Sequence, residues 1–211
     1  MKNRIGIIDT GVANIGSLVS ALNEIDADYK VIETKSKGAE NCSHFVLPGV
    51  GSFDSGMKSL LAKNLDEMIT SAALDGKPIL GICLGMQLLC KSSQEGSNST
   101  PGLSIFDSDV VKLQKNGDGF WPKIGWSSVS HIRRDSITEN IPSGEDFYFI
   151  HGFAVEVGDY TVSDSHFCHR YSAIISSGNT FGVQFHPEKS QKPGLQLLKN
   201  FYHIKKIQRV D

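Results

Sequence analysis

The chain has 211 residues, 39% of them hydrophobic and 21% charged, with a formal net charge of −2. A chain of this length and balance can bury a core without staples; it is not disordered in composition, lacks the basic excess that binds nucleic acid, and has no apolar stretch of membrane-spanning length. Met1-Lys2-Asn3-Arg4 runs into a strand-like segment without a signal-peptide pattern, and Cys42, Cys83, Cys90 and Cys168 show no framework spacing, so the expectation is reduced thiols in the cytoplasm.

Ile5-Gly6-Ile7-Ile8 is a continuous apolar run closing at Asp9-Thr10-Gly11, the pattern of a buried parallel strand. Ile15, Leu18, Val19, Leu22 and Ile25 follow at helical spacing. Residues 29–32 and 45–47 read as two more strands, the second closing at Pro48-Gly49-Val50-Gly51. One helical region is expected over about 57–74, then a strand at Pro78-Ile79-Leu80 and a helix running to about Cys90. This alternation predicts an α/β fold with a mainly parallel, doubly wound sheet whose site lies at the strand C-termini. Residues 92–102 are polar and read as a loop, and short runs at 105–113, 127–132, 147–151, 153–157 and 173–176 predict a smaller antiparallel portion. Residues 181–185 return as a core strand, and 194–207 close the chain as an amphipathic helix. With no internal repeat and no linker, residues 1–211 read as one domain.

The segment with most chemical content is Gly81-Ile82-Cys83-Leu84-Gly85, a strand, sharp turn and helix in the layout of G-x-S-x-G with sulfur in place of the hydroxyl. A helix N-terminus there favours a thiolate. Gln184-Phe185-His186-Pro187-Glu188 supplies a base and an orienting carboxylate, two residues apart on an extended segment and stiffened by proline. Cys42, Cys90 and Cys168 read instead as small hydrophobes. Pro48-Gly49-Val50-Gly51 is either a strand-ending turn or one side of an oxyanion hole, in which Gly49 tolerates unusual backbone angles and the Leu84 N–H is the second donor.

Together these residues resemble the class I, triad-type glutamine amidotransferases, whose domain is flavodoxin-like. Residues 81–89, 48–51 and 182–190 are similar to the glutaminase subunit of imidazole glycerol phosphate synthase; the likeness extends through Asp9-Thr10-Gly11, Pro101-Gly102-Leu103, Gly125-Trp126, Tyr148-Phe149-Ile150-His151 and residues 197–201, nearly the whole chain. The resemblance implies hydrolysis of L-glutamine to glutamate and ammonia through a Cys83 thioester, with His186 and Glu188 as the other triad members. It also implies Gln87, His151, Gly152 and Phe153 around the glutamine, and no cofactor or metal. Ammonia would pass to a (β/α)8-barrel cyclase subunit in a heterodimer serving histidine biosynthesis. Asn14, Trp126 and Lys189 are the interface candidates, and neither nucleic acid nor membrane is a partner. Two segments depart from the family pattern: Lys123-Ile124-Gly125-Trp126-Ser127 stands where His-Met-Gly-Trp-Asn is usual, and His151-Gly152-Phe153 where His-Ser-Tyr is usual. The departures leave open a paralogue that supplies ammonia for surface-polysaccharide amidation. A catalytically silent binding module is a third reading, against which the complete triad argues.

Overall fold

A computed structural model describes residues 3–11, 13–34, 39–96, 100–113 and 121–207. The first half alternates as β1 (Ile5–Ile8), α1 (Ile15–Glu24), β2 (Tyr29–Ile32), β3 (His44–Gly49), α2 (Phe53–Ala62), α3 (Leu65–Leu74), β4 (Ile79–Cys83) and α4 (Leu84–Leu88). The second half contains β5 (Cys90–Ser93), β6 (Thr100–Pro101), β7 (Phe106–Lys112), β8 (Lys123–His131), β9 (Glu145–His151), β10 (Phe153–Val155), β11 (Thr161–Phe167), β12 (His169–Ser177), β13 (Thr180–Val183) and α5 (Gln191–His203).

Every residue of β1, β3 and β4 is buried, which is why these strands read as unbroken apolar runs rather than alternating ones. They form the parallel centre of a nine-stranded sheet, ordered β2-β1-β3-β4-β13-β12-β11-β8-β9. Pairing is parallel from β2 to β13 and antiparallel from β13 to β9, so the antiparallel strands extend the same sheet. A four-stranded sheet, β10-β7-β5-β6, lies apart from it. Alternate side chains of the central strands feed two apolar clusters. Ile5, Ile7, Val46, Leu80 and Ile82 join Leu18 and Leu22 of α1 and Leu197, Leu198 and Phe201 of α5. Ile8, Phe45, Leu47 and Ile79 join Phe53 and Leu60 of α2 and Leu65 and Ile69 of α3. Each fully buried aliphatic side chain contributes about 1.5–3 kcal/mol relative to exposure, so the two faces hold the helices to the sheet.

The structure differs from the sequence expectation in several elements, among them the closing helix, which spans Gln191–His203 rather than 194–207. The single helix expected over 57–74 is two, α2 starting at Phe53 under a Ser52 cap and α3 starting after Asn64, whose φ of 52° breaks the helix. The helix after Cys83 stops at Leu88 rather than near Cys90, and Cys90–Ser93 is already a strand. The expected loop over 92–102 therefore holds the end of β5 and all of β6, with 97–99 outside the described residues. β11 was not expected. One buried face is Thr161, Ser163 and Ser165, and Asp164 is buried beside Val162 on the other, so hydrophobic periodicity is silent there. Thr161 Oγ1 pairs with Ser172 Oγ, His131 Nδ1 with Ser163 Oγ, and Ser165 Oγ donates to the Ser128 carbonyl.

Among the described glycines the tightest approach is between α4 and β3. A Cβ added at Gly85 would lie 1.7 Å from the Leu47 carbonyl oxygen, so no side chain fits there. Gly85→Ala is expected to cost about 3 kcal/mol or more, as overpacking against backbone, and to lower the unfolding midpoint by roughly 6–12 °C. An unchanged midpoint in a thermal melt would contradict this account of the elbow.

Candidate active site

Cys83 ends β4 with φ 53° and ψ −109°, a conformation that L-residues avoid and that costs on the order of 1–3 kcal/mol. The turn leaves the side chain only 6% exposed, with Sγ 3.6 Å from the Ile150 carbonyl oxygen. A cavity of about 230 Å³ opens over it, lined by Cys83, His186, Gln87, Glu95, Lys189, the 150–153 segment, Val50, Gly51 and Leu84.

The loop after β13 delivers the base. His186 Nδ1 lies 2.8 Å from Glu188 Oε1, and both side chains are nearly buried. A carboxylate can only accept, so Nδ1 carries a proton and Nε2 is left for the thiol side. Burial acts to lower the His186 pKa, but hydrogen bonding and charge from Cys83 and Glu188 outweigh it and lift the pKa to about 10. The site therefore favours a protonated His186 at neutral pH. Glu188 Oε2 is buried without a protein partner among the described residues. It adjoins a second cavity, of about 10 Å³, lined in part by Asn14, Gly49 and Lys189.

The backbone of Gly49 lacks the unusual angle expected of it. It continues β3 in register with Cys83 and has no positive φ; a Cβ there would meet Leu84 Cβ at 3.0 Å. Its lack of a side chain serves close packing. The unusual angle belongs to Gly51, with φ 97°. Gly51 and Val50 line the cavity together with Leu84, the first residue of α4, whose N–H has no acceptor one turn back in the helix.

The far wall is built by backbone. Gln87 Nε2 donates to the Phe153 carbonyl at 3.0 Å and to Gln184 Oε1 at 3.1 Å. His151 is buried, and burial, with the nearby charges of Lys123 and His186, lowers its pKa to about 4 against the opposing hydrogen bond to Phe153. Neutral His151 donates from Nδ1 to the Phe153 carbonyl at 2.9 Å, and its Nε2 has no partner among the described residues. Behind Gly152 stands the Trp121 indole. Its Nε1 donates to the Gly152 carbonyl at 3.2 Å, its ring meets Phe153 edge-on, and a Cβ at Gly152 would come 2.6 Å from Trp121 Cζ2.

Asn14 caps α1, accepting from the Ser17 N–H at 3.5 Å, and meets Lys189 at the small cavity. Trp126 stands on β8, 45% exposed and edge-on to Tyr148, beside exposed Ile124 and Ile150. The other thiols lie elsewhere. Cys42 and Cys90 are buried, and burial pushes Cys90 up to about 12; Cys168 sits in the turn between β11 and β12. Among the described residues no group of three His, Cys, Asp or Glu side chains could hold a metal ion, and no helix is long and apolar enough to cross a membrane.

Three residues of the site were not singled out from sequence. Glu95 lines the cavity while Oε2 accepts the Phe53 N–H at 2.7 Å; it sits in a polar stretch without pattern. Trp121 likewise carries no local signal. Gln184 did carry one, since strand alternation places it on the same side as His186.

A family model described as Glutamine amidotransferase class-I matches residues 6–205. The chain is 40% identical over 212 residues to the imidazole glycerol phosphate synthase subunit HisH of Photobacterium profundum, covering 96% of this chain and 98% of that one. It is 38% identical over 207 residues to subunit HisH 1 of Vibrio vulnificus, covering 96% and 99%. Among solved structures, a chain of PurLQS from Thermotoga maritima superposes with a TM-score of 0.72 at 20% identity over 95% of this chain and 98% of that one, a likeness of fold.

The hydrogen bond with Cys83, then the hydrogen bond with Glu188 and the charges of both, hold the proton on His186 against burial. In Glu188→Gln the acceptor remains but the charge is gone, so His186 should release its proton at a pH lower by about one unit or more. Imidazole ¹⁵N chemical shifts followed through a pH titration read this directly; an unmoved midpoint would contradict it.

Proposed function

Because the chain belongs to the class-I glutamine amidotransferase family, we propose that it is the glutaminase subunit of an imidazole glycerol phosphate synthase, hydrolysing L-glutamine to glutamate and ammonia for histidine biosynthesis. The observation that carries the chemistry is the meeting of Cys83, on its strained strand end, with a His186 held by Glu188 at 2.8 Å over one cavity. In this reading Cys83 Sγ attacks the side-chain carboxamide carbon, and negative charge collects on the oxygen between the Leu84 N–H and a donor from Gly49, Val50 or Gly51. The tetrahedral intermediate breaks its C–N bond as His186 passes its proton to the departing nitrogen, which leaves as ammonia. His186 then takes a proton from water; the hydroxide cleaves the thioester C–S bond, and glutamate leaves as the proton returns to the Cys83–His186 pair. Gln87, His151, Gly152 and Phe153 form the substrate wall, and the Glu95 carboxylate suits the substrate ammonium.

Exposed Ile124, Trp126 and Ile150 form an apolar patch of the kind that marks an interaction surface. With Asn14 and Lys189 we read it as the docking face for a (β/α)8-barrel cyclase subunit that receives the ammonia in a heterodimer. Residues 1–211 act as one domain in the cytoplasm, without cofactor, nucleic acid or membrane.

The test is glutamate release from glutamine, with and without the barrel subunit of the same genome and its nucleotide substrate. Release should be slow alone and rise strongly in the liganded complex. Cys83→Ser should lose about a thousandfold or more of this activity while ammonia-dependent synthesis by the complex persists. Retained glutaminase activity in Cys83→Ser would refute the nucleophile, and absence of a complex would move the ammonia acceptor to another partner, such as a sugar amidotransferase.

The Trp121 contact yields a separate expectation. In Gly152→Ser the new side chain must displace the indole and break its hydrogen bond, so KM for glutamine should rise about fivefold, the loss of about 1 kcal/mol, with kcat little changed. Steady-state kinetics with tryptophan fluorescence checks both; an unchanged KM would show that the indole does not shape the substrate wall.

A further inference from the structure

The helix that follows Cys83 is five residues long, too short to supply much dipole to a thiolate. Another donor faces the sulfur. In the parallel pairing of β4 and β13, Gly81 lies beside Gly182 and Ile82 beside Val183, so the next residue of each strand brings Cys83 beside Gln184. Gln184 is fully buried, and its Nε2 lies 3.8 Å from Cys83 Sγ, hydrogen-bonding distance for sulfur.

Which end of the Gln184 amide meets the sulfur is fixed from a distance. The Phe153 carbonyl can only accept, so Gln87 turns its NH₂ toward it. The same NH₂ donates to Gln184, which must present Oε1 there and therefore NH₂ to Cys83. His151 Nδ1 donates to the same Phe153 carbonyl and pins it. The chain Phe153 O, Gln87, Gln184, Cys83 is thus polarised toward the sulfur, and a donated N–H stabilises a thiolate more than a thiol.

We propose that Gln184 is a further catalytic residue, an N–H donor oriented by Gln87 that holds Cys83 as the reactive thiolate. The proposal rests on Cys83 being the nucleophile. Other groups also face the sulfur or its cavity: His186, backed by Glu188; neutral His151; Lys189; and Glu95 across the cavity. Replacing Gln184 leaves all of them in place, so a change in thiol reactivity reports the amide itself.

The test is the pH dependence of Cys83 alkylation by iodoacetamide in the full chain, read by peptide mapping, in the parent, Gln184→Met and Cys83→Ala. In Gln184→Met alkylation of Cys83 at neutral pH should slow about tenfold and its midpoint move up by about one unit, since the donor that favoured the thiolate is gone. The kcat for glutamine should fall in proportion, with KM within about twofold because Gln184 lies beneath the cavity wall. Should Gln184→Met fail to fold, the paired replacement of Gln87 and Gln184 by Met removes both amides together and carries the same alkylation readout. An alkylation profile identical to the parent's, with glutaminase activity lost in Cys83→Ala, would overturn the role of Gln184 alone. Glutaminase activity surviving in Cys83→Ala would overturn the nucleophile and this inference with it.

Discussion

The site depends on one strained residue. Cys83 carries a positive φ that only glycine adopts freely, and nothing local to a cysteine favours it. It is held by neighbours on three sides: β3 pairs with it through Gly49, β13 runs beside it, and α4 is pressed onto β3 so closely that Gly85 has no room for a methyl group. A buried parallel sheet is stiff enough to bear strain of a few kcal/mol at one strand end, because relaxing the turn would separate strands that are apolar on both faces. The result is a thiol held at the strand C-termini, where an α/β sheet opens its crevice.

Around that thiol the polar groups are arranged so that each has one role. Glu188 can only accept, so it fixes the His186 proton on Nδ1 and turns Nε2 toward the sulfur. The Phe153 carbonyl can also only accept, and through Gln87 it fixes Gln184 with its NH₂ toward the same sulfur. Burial keeps His151 neutral, so it braces the wall and does not compete with His186 as a base. A protonated base on one side and an amide donor on the other both favour the anionic nucleophile. These partners come from β9, β10 and the segment after β13, so neither half of the chain forms the site alone.

Much of this was legible in sequence where burial is two-sided or spacing is rigid. β1, β3 and the strand at Cys83 were readable because buried parallel strands are continuously apolar and turns follow them. Cys83, His186 and Glu188 were readable because a Gly-flanked turn and a proline-stiffened pair constrain their own geometry. The helix break at Asn64 was not, because a positive φ in asparagine leaves no mark on apolar periodicity. β11 was hidden because one buried face is made of hydroxyls that find partners only across the sheet. That Gly49 is needed for close packing on Leu84, while the positive φ falls at Gly51, is encoded by no local pattern. Glu95 reaches the cavity, and Trp121 backs Gly152 and Phe153, through tertiary contacts alone.

The central claim is that Cys83 is the atom that attacks glutamine. The most direct measurement is labelling of the intact chain with a diazoketone analogue of glutamine, followed by peptide mapping. One label per chain is expected, on Cys83, blocked by excess glutamine and accompanied by loss of glutaminase activity. A label on Cys42, Cys90 or Cys168, or full activity in a chain labelled at Cys83, would contradict it.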